Sequence, residues 1–172
     1  MRYYLPLLLS LLLCTCAPPP SPPLPELGTA SDPIVYATFE QVTGLFNQTT
    51  DTTYVVNLWA TWCKPCREEL PFLQDLATKE ADKKMVVVLV SLDTDAGAIA
   101  RIPAFLDKVA PNLPAIVLTE DDSLWGKTID RVWASNLPTT IIYRGDLRFI
   151  YRRNFRTYND LRAALDPLIG KE

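Results

Sequence analysis

The sequence predicts an α/β domain in which a mixed central sheet is covered by helices on both faces. Three observations predict it. A β-rich run, Thr53 to Trp59, passes directly into a helical pattern. A continuous and mostly β-branched run, MVVVLVSLD, suits a strand buried on both faces. Two later strand-like runs are joined by Arg144-Gly145-Asp146, a hairpin turn signal, and precede a closing amphipathic helix. The order strand-helix, strand-helix, strand, hairpin, helix calls for parallel crossovers and an antiparallel pair in one sheet.

Taken in order, YATFEQVTGLF carries apolar residues at helical spacing and predicts a short helix near Phe39 to Phe46. DTTYVVNLW supplies the first strand. CKPCREELPFLQDLATKE reads as a helix beginning at Cys63, with Leu70, Leu73 and Leu76 inward and a kink expected at Pro71, where a hydrogen bond is lost. IPAFLDKVAP has Pro103 in a first helical turn and Pro111 just past the end, and AIVLT follows as a short strand. DSLWGKTIDRVW holds a further helical turn or two. PTTIIY and LRFIYRR form the hairpin, and TYNDLRAALDPLI closes the chain with Leu161, Leu165 and Leu168 inward.

Ahead of this domain stand two segments of different character. MRYYLPLLLSLLLC places Arg2 before a leucine-rich run that is too short to span a bilayer and has the layout of a secretory signal. Leu13-Cys14-Thr15-Cys16 resembles a bacterial lipobox, which implies lipidation of Cys16, although Thr15 departs from the small residue usual there. The alternatives are an ordinary signal peptide cut nearby, with Cys14 and Cys16 incidental, and modification of Cys14, which would put Leu13 at the cleavage position. APPPSPPLPELG then suits an extended, semi-rigid tether. The expected organisation is a lipoprotein signal peptide over 1–15, a proline-rich tether over 16–33 and the folded domain over 34–172. The protein would thus be membrane-anchored and extracytoplasmic, on the periplasmic side.

Composition removes several function classes. Across 172 residues, 17 Lys and Arg against 20 Asp and Glu give a net charge of −3, with no basic run to track a phosphate backbone. Nucleic acid is not an expected partner. With no histidine in the chain, a cysteine-histidine nucleophile is excluded. A structural zinc site needs about four ligands, and the Cys63-Cys66 pair supplies two, so no metal is expected.

The pair itself, in LWATWCKPCREELP, has two remaining readings: an inert, buried pair or a redox centre. Cys63 falls where a strand hands over to a helix, so its sulfur lies at a helix N-terminus, where unpaired amides and the helix dipole favour a thiolate. Pro65 fits the first turn, where its missing N–H is not needed. Lys64, between the cysteines, favours the thiolate slightly and is a candidate for tuning the redox potential, as is Pro65. Glu69 lies three residues after Cys66, on the same helical face, where a carboxylate can exchange a proton with that cysteine, the alternative being a solvated helix face. Trp125 and Trp133 read as core or cleft-wall residues, and Arg152, Arg153 and Arg156 as a wet surface cluster.

VVNLWATWCKPCREELP together with NLPTTIIY resembles the thioredoxin fold, and within it the membrane-tethered TlpA-like and ResA-like thiol-disulfide oxidoreductases of bacteria. The resemblance covers the domain from Ile34 to the C-terminal helix. It implies that Cys63 is the nucleophile and Cys66 the resolving thiol, that Trp62 flanks the nucleophile, and that Pro138 is the proline beside the sulfur, with Leu137 offering its backbone to a substrate segment. It also implies that Glu69 is the acidic residue of the ResA-like proteins. Two positions depart from the wider pattern: Asn57 replaces the buried Asp found in thioredoxins six residues before the first cysteine, and Asn136, which tolerates left-handed backbone, replaces a glycine.

The implied function is reduction of disulfides in exported, cysteine-containing proteins such as apocytochrome c, with a membrane electron donor and no cofactor. Two alternatives stand beside it. A peroxiredoxin-like peroxidase shares the fold but requires a threonine three residues before its cysteine, where this chain has Ala60. A non-catalytic surface lipoprotein would use the disulfide as a staple, although so short a loop yields little entropic stabilisation.

Overall fold

The computed structural model describes residues 21–169. Its strands are β1 (Ile34–Tyr36), β2 (Thr53–Trp59), β3 (Met85–Ser91), β4 (Ala115–Leu118), β5 (Thr139–Arg144) and β6 (Leu147–Tyr151). A 3-10 helix covers Phe39–Phe46, and the α-helices are α1 (Lys64–Lys79), α2 (Ala96–Ile99), α3 (Ile102–Val109), α4 (Asp122–Ile129) and α5 (Tyr158–Ile169). The strands form one sheet in the order β1-β4-β3-β2-β5-β6. β1, β4, β3 and β2 run parallel, while β5 and β6 are antiparallel additions. This is the mixed sheet expected, with two short elements that the sequence reading left out: the three-residue β1 and the four-residue α2, both too brief to show a period.

Alternation along the strands divides the apolar side chains between two layers. Val55, Trp59, Val87, Leu89, Ala115, Val117 and Ile142 face α1, α3 and α5. Tyr54, Val56, Leu58, Val88, Val90, Ile116, Leu118, Ile141 and Tyr143 face the 3-10 helix and α4. Helices therefore cover both faces. Every residue of β2 is buried, as a strand at the centre of a doubly covered sheet must be. The helix expected near Phe39 is of the 3-10 type, and Gln41 Oε1 accepts from the Ala37 and Thr38 amides at its start, each at 3.1 Å. α1 continues past Pro71 to Lys79.

The tether expected over 16–33 is packed against the domain along its described part. Gln48 Nε2 donates to the Pro22 carbonyl at 2.7 Å, and Tyr36 Oη donates to the Glu26 carbonyl at 2.9 Å. Gly28 bridges Ala115, and Ala30 is fully buried in the α1-side core. Proline lacks an N–H to donate, but its carbonyl still accepts, so a proline-rich strap can be pinned by donors from the domain. The packed part of the chain thus begins before Ile34. Cys16 and the signal segment lie outside the described residues.

Candidate functional site

β2 delivers the motif. It is paired on one side with β3 in parallel and on the other with β5 in antiparallel register, with Trp59 opposite Ser91 and Leu58 opposite Thr139. The residues just past Trp59, just past Ser91 and just before Thr139 therefore gather at one end of the sheet. Those residues are the Cys-x-x-Cys turn, the segment Leu92 to Asp95, and the Leu137-Pro138 dipeptide. The Leu137-Pro138 peptide bond is cis. Pro138 is buried, while Leu137 is half-buried and packs against both core layers.

Cys63 is the N-cap of α1, and its Sγ accepts from the Cys66 amide at 3.3 Å. That places its sulfur on one of the donors a helix N-terminus leaves unpaired. Cys63 and Cys66 form a disulfide with Cα atoms 5.3 Å apart. Cys63 retains 5% of its surface and Cys66 none, so an approaching group meets Cys63. Pro65 lies in the first turn. Lys64 is exposed and stands 3.7 Å from Glu68, which shares its charge on the solvent side. Trp62 is 69% exposed beside the disulfide and offers a large apolar surface there.

Glu69 is buried, one helical turn beyond Cys66. Asn57 Nδ2 donates to its Oε1 at 2.7 Å, and the Phe155 amide donates to its Oε2 at 2.7 Å. Burial raises its pKa to about 7 against the opposing pull of those two donors and of the Arg153 charge, while Asp160 adds to the rise. Asn57 also donates to Thr140 Oγ1 at 2.9 Å, tying the carboxyl group to β5 as well as β2. Arg153 is not a loose surface charge: it makes a forked pair with Asp160 at 2.7 and 2.8 Å and lies over the Phe155 ring. Arg152 forks likewise onto buried Asp130. All three arginines lie exposed at the surface, as the wet-cluster reading expects, with Arg152 and Arg153 paired there.

Asp93 is a site residue that the sequence reading missed. It is 1% exposed and accepts from the Thr61 amide at 2.8 Å, the Thr61 hydroxyl at 2.6 Å and the Ser91 hydroxyl at 2.7 Å. The register carries the reason: Trp59 opposes Ser91, so Thr61 and Asp93 each stand two residues beyond an aligned pair. A carboxylate two residues past the central apolar strand is the signal that finds it. Thr61's hydroxyl is thereby engaged, and buried Ala60 fills the position where a peroxidase of this fold needs threonine.

The loop before the cis-proline corrects one expectation. Left-handed backbone falls on Ser135, with φ of 53°, rather than on Asn136. Asn136 instead supplies the carbonyl that accepts from Thr139 Oγ1 at 2.7 Å. Trp133 is buried upstream, its ring tilted against Trp125 and held by Asp122 through its indole N–H at 2.8 Å.

A disulfide at the N-terminus of a helix, on a mixed sheet beside a cis-proline, defines a thioredoxin-like protein. The chain belongs to the Redoxin family, whose model matches residues 37–144. Over 60 residues it is 38% identical to the thiol-disulfide oxidoreductase ResA of Oceanobacillus iheyensis, a match covering 35% of this chain and 30% of that protein. The chain thus spans well under two thirds of that relative. A solved DsbF homologue from Corynebacterium diphtheriae is 27% identical, with a TM-score of 0.56 over 69% of this chain and 73% of that one. A thioredoxin-family thiol:disulfide interchange protein from Chlorobium tepidum TLS shares the fold over 88% of this chain and 98% of its own, with a TM-score of 0.58 and 18% identity.

Proposed function

We propose that the protein is an extracytoplasmic thiol-disulfide oxidoreductase that reduces disulfides in exported proteins through a Cys63-Cys66 cycle. The observation that carries this reading is the pairing of a slightly exposed Cys63 at the helix N-terminus with a fully buried Cys66 one turn from buried Glu69. In the reduced protein the Cys63 thiolate attacks one sulfur of a partner disulfide. A Cys63-partner bond forms, and the partner's other sulfur leaves as a thiolate. Cys66 then gives its proton to Glu69 and attacks Cys63 Sγ, closing the intramolecular disulfide and releasing the partner's second sulfur. Two electrons pass to the partner, and a membrane electron donor returns them.

Glu69 suits the proton-acceptor role because a carboxyl group with a pKa of about 7 exchanges protons near neutral pH. Leu137 and Pro138, at the same end of the sheet, would lie against the partner's backbone, with Trp62 against its side chains. Lys64 and Pro65 would adjust the potential. The names of the similar proteins, a ResA and a thiol:disulfide interchange protein, support this chemistry. Apocytochrome c is a partner of the right class, because it is exported and carries cysteines. Lipidation at Cys16, after removal of residues 1–15, would hold the domain at the membrane surface.

The test is the equilibrium reduction potential of the Cys63-Cys66 pair, titrated against glutathione and dithiothreitol, with Cys63→Ser as control. A value of about −270 mV or lower is expected of a reductant. A value near about −120 mV makes the protein a donor of disulfides and overturns the direction proposed.

A further inference from the structure

Beside the disulfide lies a groove of about 500 Å³ in which only Trp62 has been given a part in partner binding. Thr61, Trp62 and Arg67 form one wall, and Asp95, Ala98, Arg101 and Phe105 form the other. Arg67 is tied to the nucleophile's own turn, since its amide donates to the Cys63 carbonyl at 3.1 Å. Arg101 is the N-cap residue of α3, and Phe105, one turn on, is half-buried against Trp59 with ring centres 5.8 Å apart.

The charges in the groove are unbalanced. Lys64, Arg152, Arg153 and Arg162 each meet a carboxylate. Arg67 and Arg101 are exposed and make no ion pair among the described residues. The one acidic side chain in the lining, Asp95, accepts from the Ala98 amide at 2.8 Å as the cap of α2. Two guanidinium groups thus face one groove on a protein whose net charge is −3. A carboxylate entering the groove uses the forked geometry that guanidinium offers. Exposed Trp62 and half-buried Phe105 supply apolar surface for the stem of such a side chain.

We propose that this groove is a recognition subsite for an acidic residue flanking the reacting cysteine of the partner polypeptide. It rests on the thiol-disulfide exchange reading and adds a substrate class to it: acidic cysteine-containing segments are preferred over neutral or basic ones. Asp or Glu beside the partner cysteine docks on Arg67 and Arg101 while the partner sulfur meets Cys63.

The test uses the full chain carrying Cys66→Ser, so that the mixed disulfide accumulates. Peptides carry one cysteine activated as a disulfide with 2-thiopyridine, and Glu, Gln or Lys at each of the two positions on either side. Attack by Cys63 joins its sulfur to the peptide sulfur and expels 2-thiopyridone, whose absorbance gives the rate; the Cys63→Ser, Cys66→Ser protein supplies the background from other thiols. At low salt the best Glu peptide should react roughly fivefold to tenfold faster than its Gln counterpart, with Lys slowest. The difference should collapse in about 1 M salt, where the Debye length is about 3 Å. Arg67→Glu with Arg101→Glu should invert the order of Glu and Lys peptides, a ratio measured within one protein. Equal rates for Glu and Gln at every position, or an order unchanged in the double variant, overturns the subsite while exchange stands. Release that does not depend on Cys63 for any peptide overturns the exchange reading and the subsite with it.

Discussion

Asn57 and Glu69 meet at 2.7 Å, an amide from the central strand donating to a carboxyl group from the helix that carries both cysteines. The site's buried acid thus comes from α1, and the strand supplies its donor. Among the described residues Asn57 Oδ1 has no hydrogen-bond partner, although the residue is fully buried.

Stability should fall as pH rises through neutrality. Glu69 has its folded pKa raised from 4.5 to about 7 by burial, so its neutral form is the one the fold favours. Its contribution is fully present below about 4.5 and is lost as pH rises through about 7, a change on the order of 3 kcal/mol. Urea unfolding of the oxidised protein at pH 5, 6, 7 and 8 measures it. Glu69→Gln should flatten that segment and be the more stable protein at pH 8. A wild-type midpoint that rises over this range contradicts the assignment.

Asn57→Asp should steepen the same pH dependence. The substitution replaces the donor to Glu69 with a second carboxyl group 2.7 Å away. Two such groups share one proton, because close like charges in a buried site do not both ionise. The variant should lose roughly 2 kcal/mol or more relative to wild type at pH 8 and much less at pH 5, since at low pH the protonated Asp can still donate. Equal losses at both pH values would point to packing instead.

How much of this was legible depends on where the partners lie along the chain. Cys63 at a helix start, Pro65 in the first turn and Glu69 one turn beyond Cys66 are local relationships, set by the 3.6-residue repeat, and the sequence carries them. The sheet and its two helical faces follow from long apolar runs, and the structure has them. The Phe155 amide on Glu69, 86 residues away, and Asp93 beneath Thr61, 32 residues away, depend on which strands pair and in what register. No local pattern encodes that. The left-handed turn at Ser135 rather than Asn136 is a one-residue shift of the kind that tolerance alone does not decide. Arg152 and Arg153 are the solvent-facing charges they looked like, but their partners Asp130 and Asp160 reach them only through the fold.

Reduced protein should alkylate at Cys63 and spare Cys66. Cys63 is the residue with exposed surface, and the Cys66 amide stabilises charge on its sulfur, whereas Cys66 is fully enclosed. Brief treatment with iodoacetamide under native conditions, followed by peptide mapping, should find Cys63 modified at least tenfold more than Cys66, on the order of the protection that burial gives. Comparable labelling of both would mean that the first turn of α1 opens on reduction.

Gly126→Ala should destabilise the protein by roughly 1–3 kcal/mol or more. A Cβ at this position would lie 2.0 Å from Trp133 Cδ1 and 2.3 Å from its indole nitrogen. The ring lies against α4 and is held by Asp122, so it cannot withdraw without losing that bond. Trp133 begins the segment that leads to Pro138, and its displacement should also change the near-ultraviolet circular dichroism. A denaturation midpoint within error of wild type would show that the indole has room to move.

Gly44→Ala should free the proline-rich strap while leaving the domain folded. A Cβ on Gly44 would meet the Pro23 carbonyl oxygen at 1.8 Å, a backbone obstacle that no side-chain rotation clears. The strap must lift, and the Gln48 bond to Pro22 and the Ser21-Thr49 contact at 2.6 Å go with it. The helix itself gains from the exchange, since alanine in a helical segment is favoured over glycine by up to about 1 kcal/mol. Limited proteolysis with a proline-specific endoprotease should therefore cut the variant after Pro23 or Pro25 at least several-fold faster than wild type, while its melting temperature moves by only a few degrees. Ala30 and the Gly28 bridge to Ala115 lie beyond the lifted stretch and keep the strap's far end in place. Unchanged cleavage would mean that Pro23 does not rest on Gly44 in solution, and a collapse of the melting temperature would make the strap part of the core rather than a cover over it.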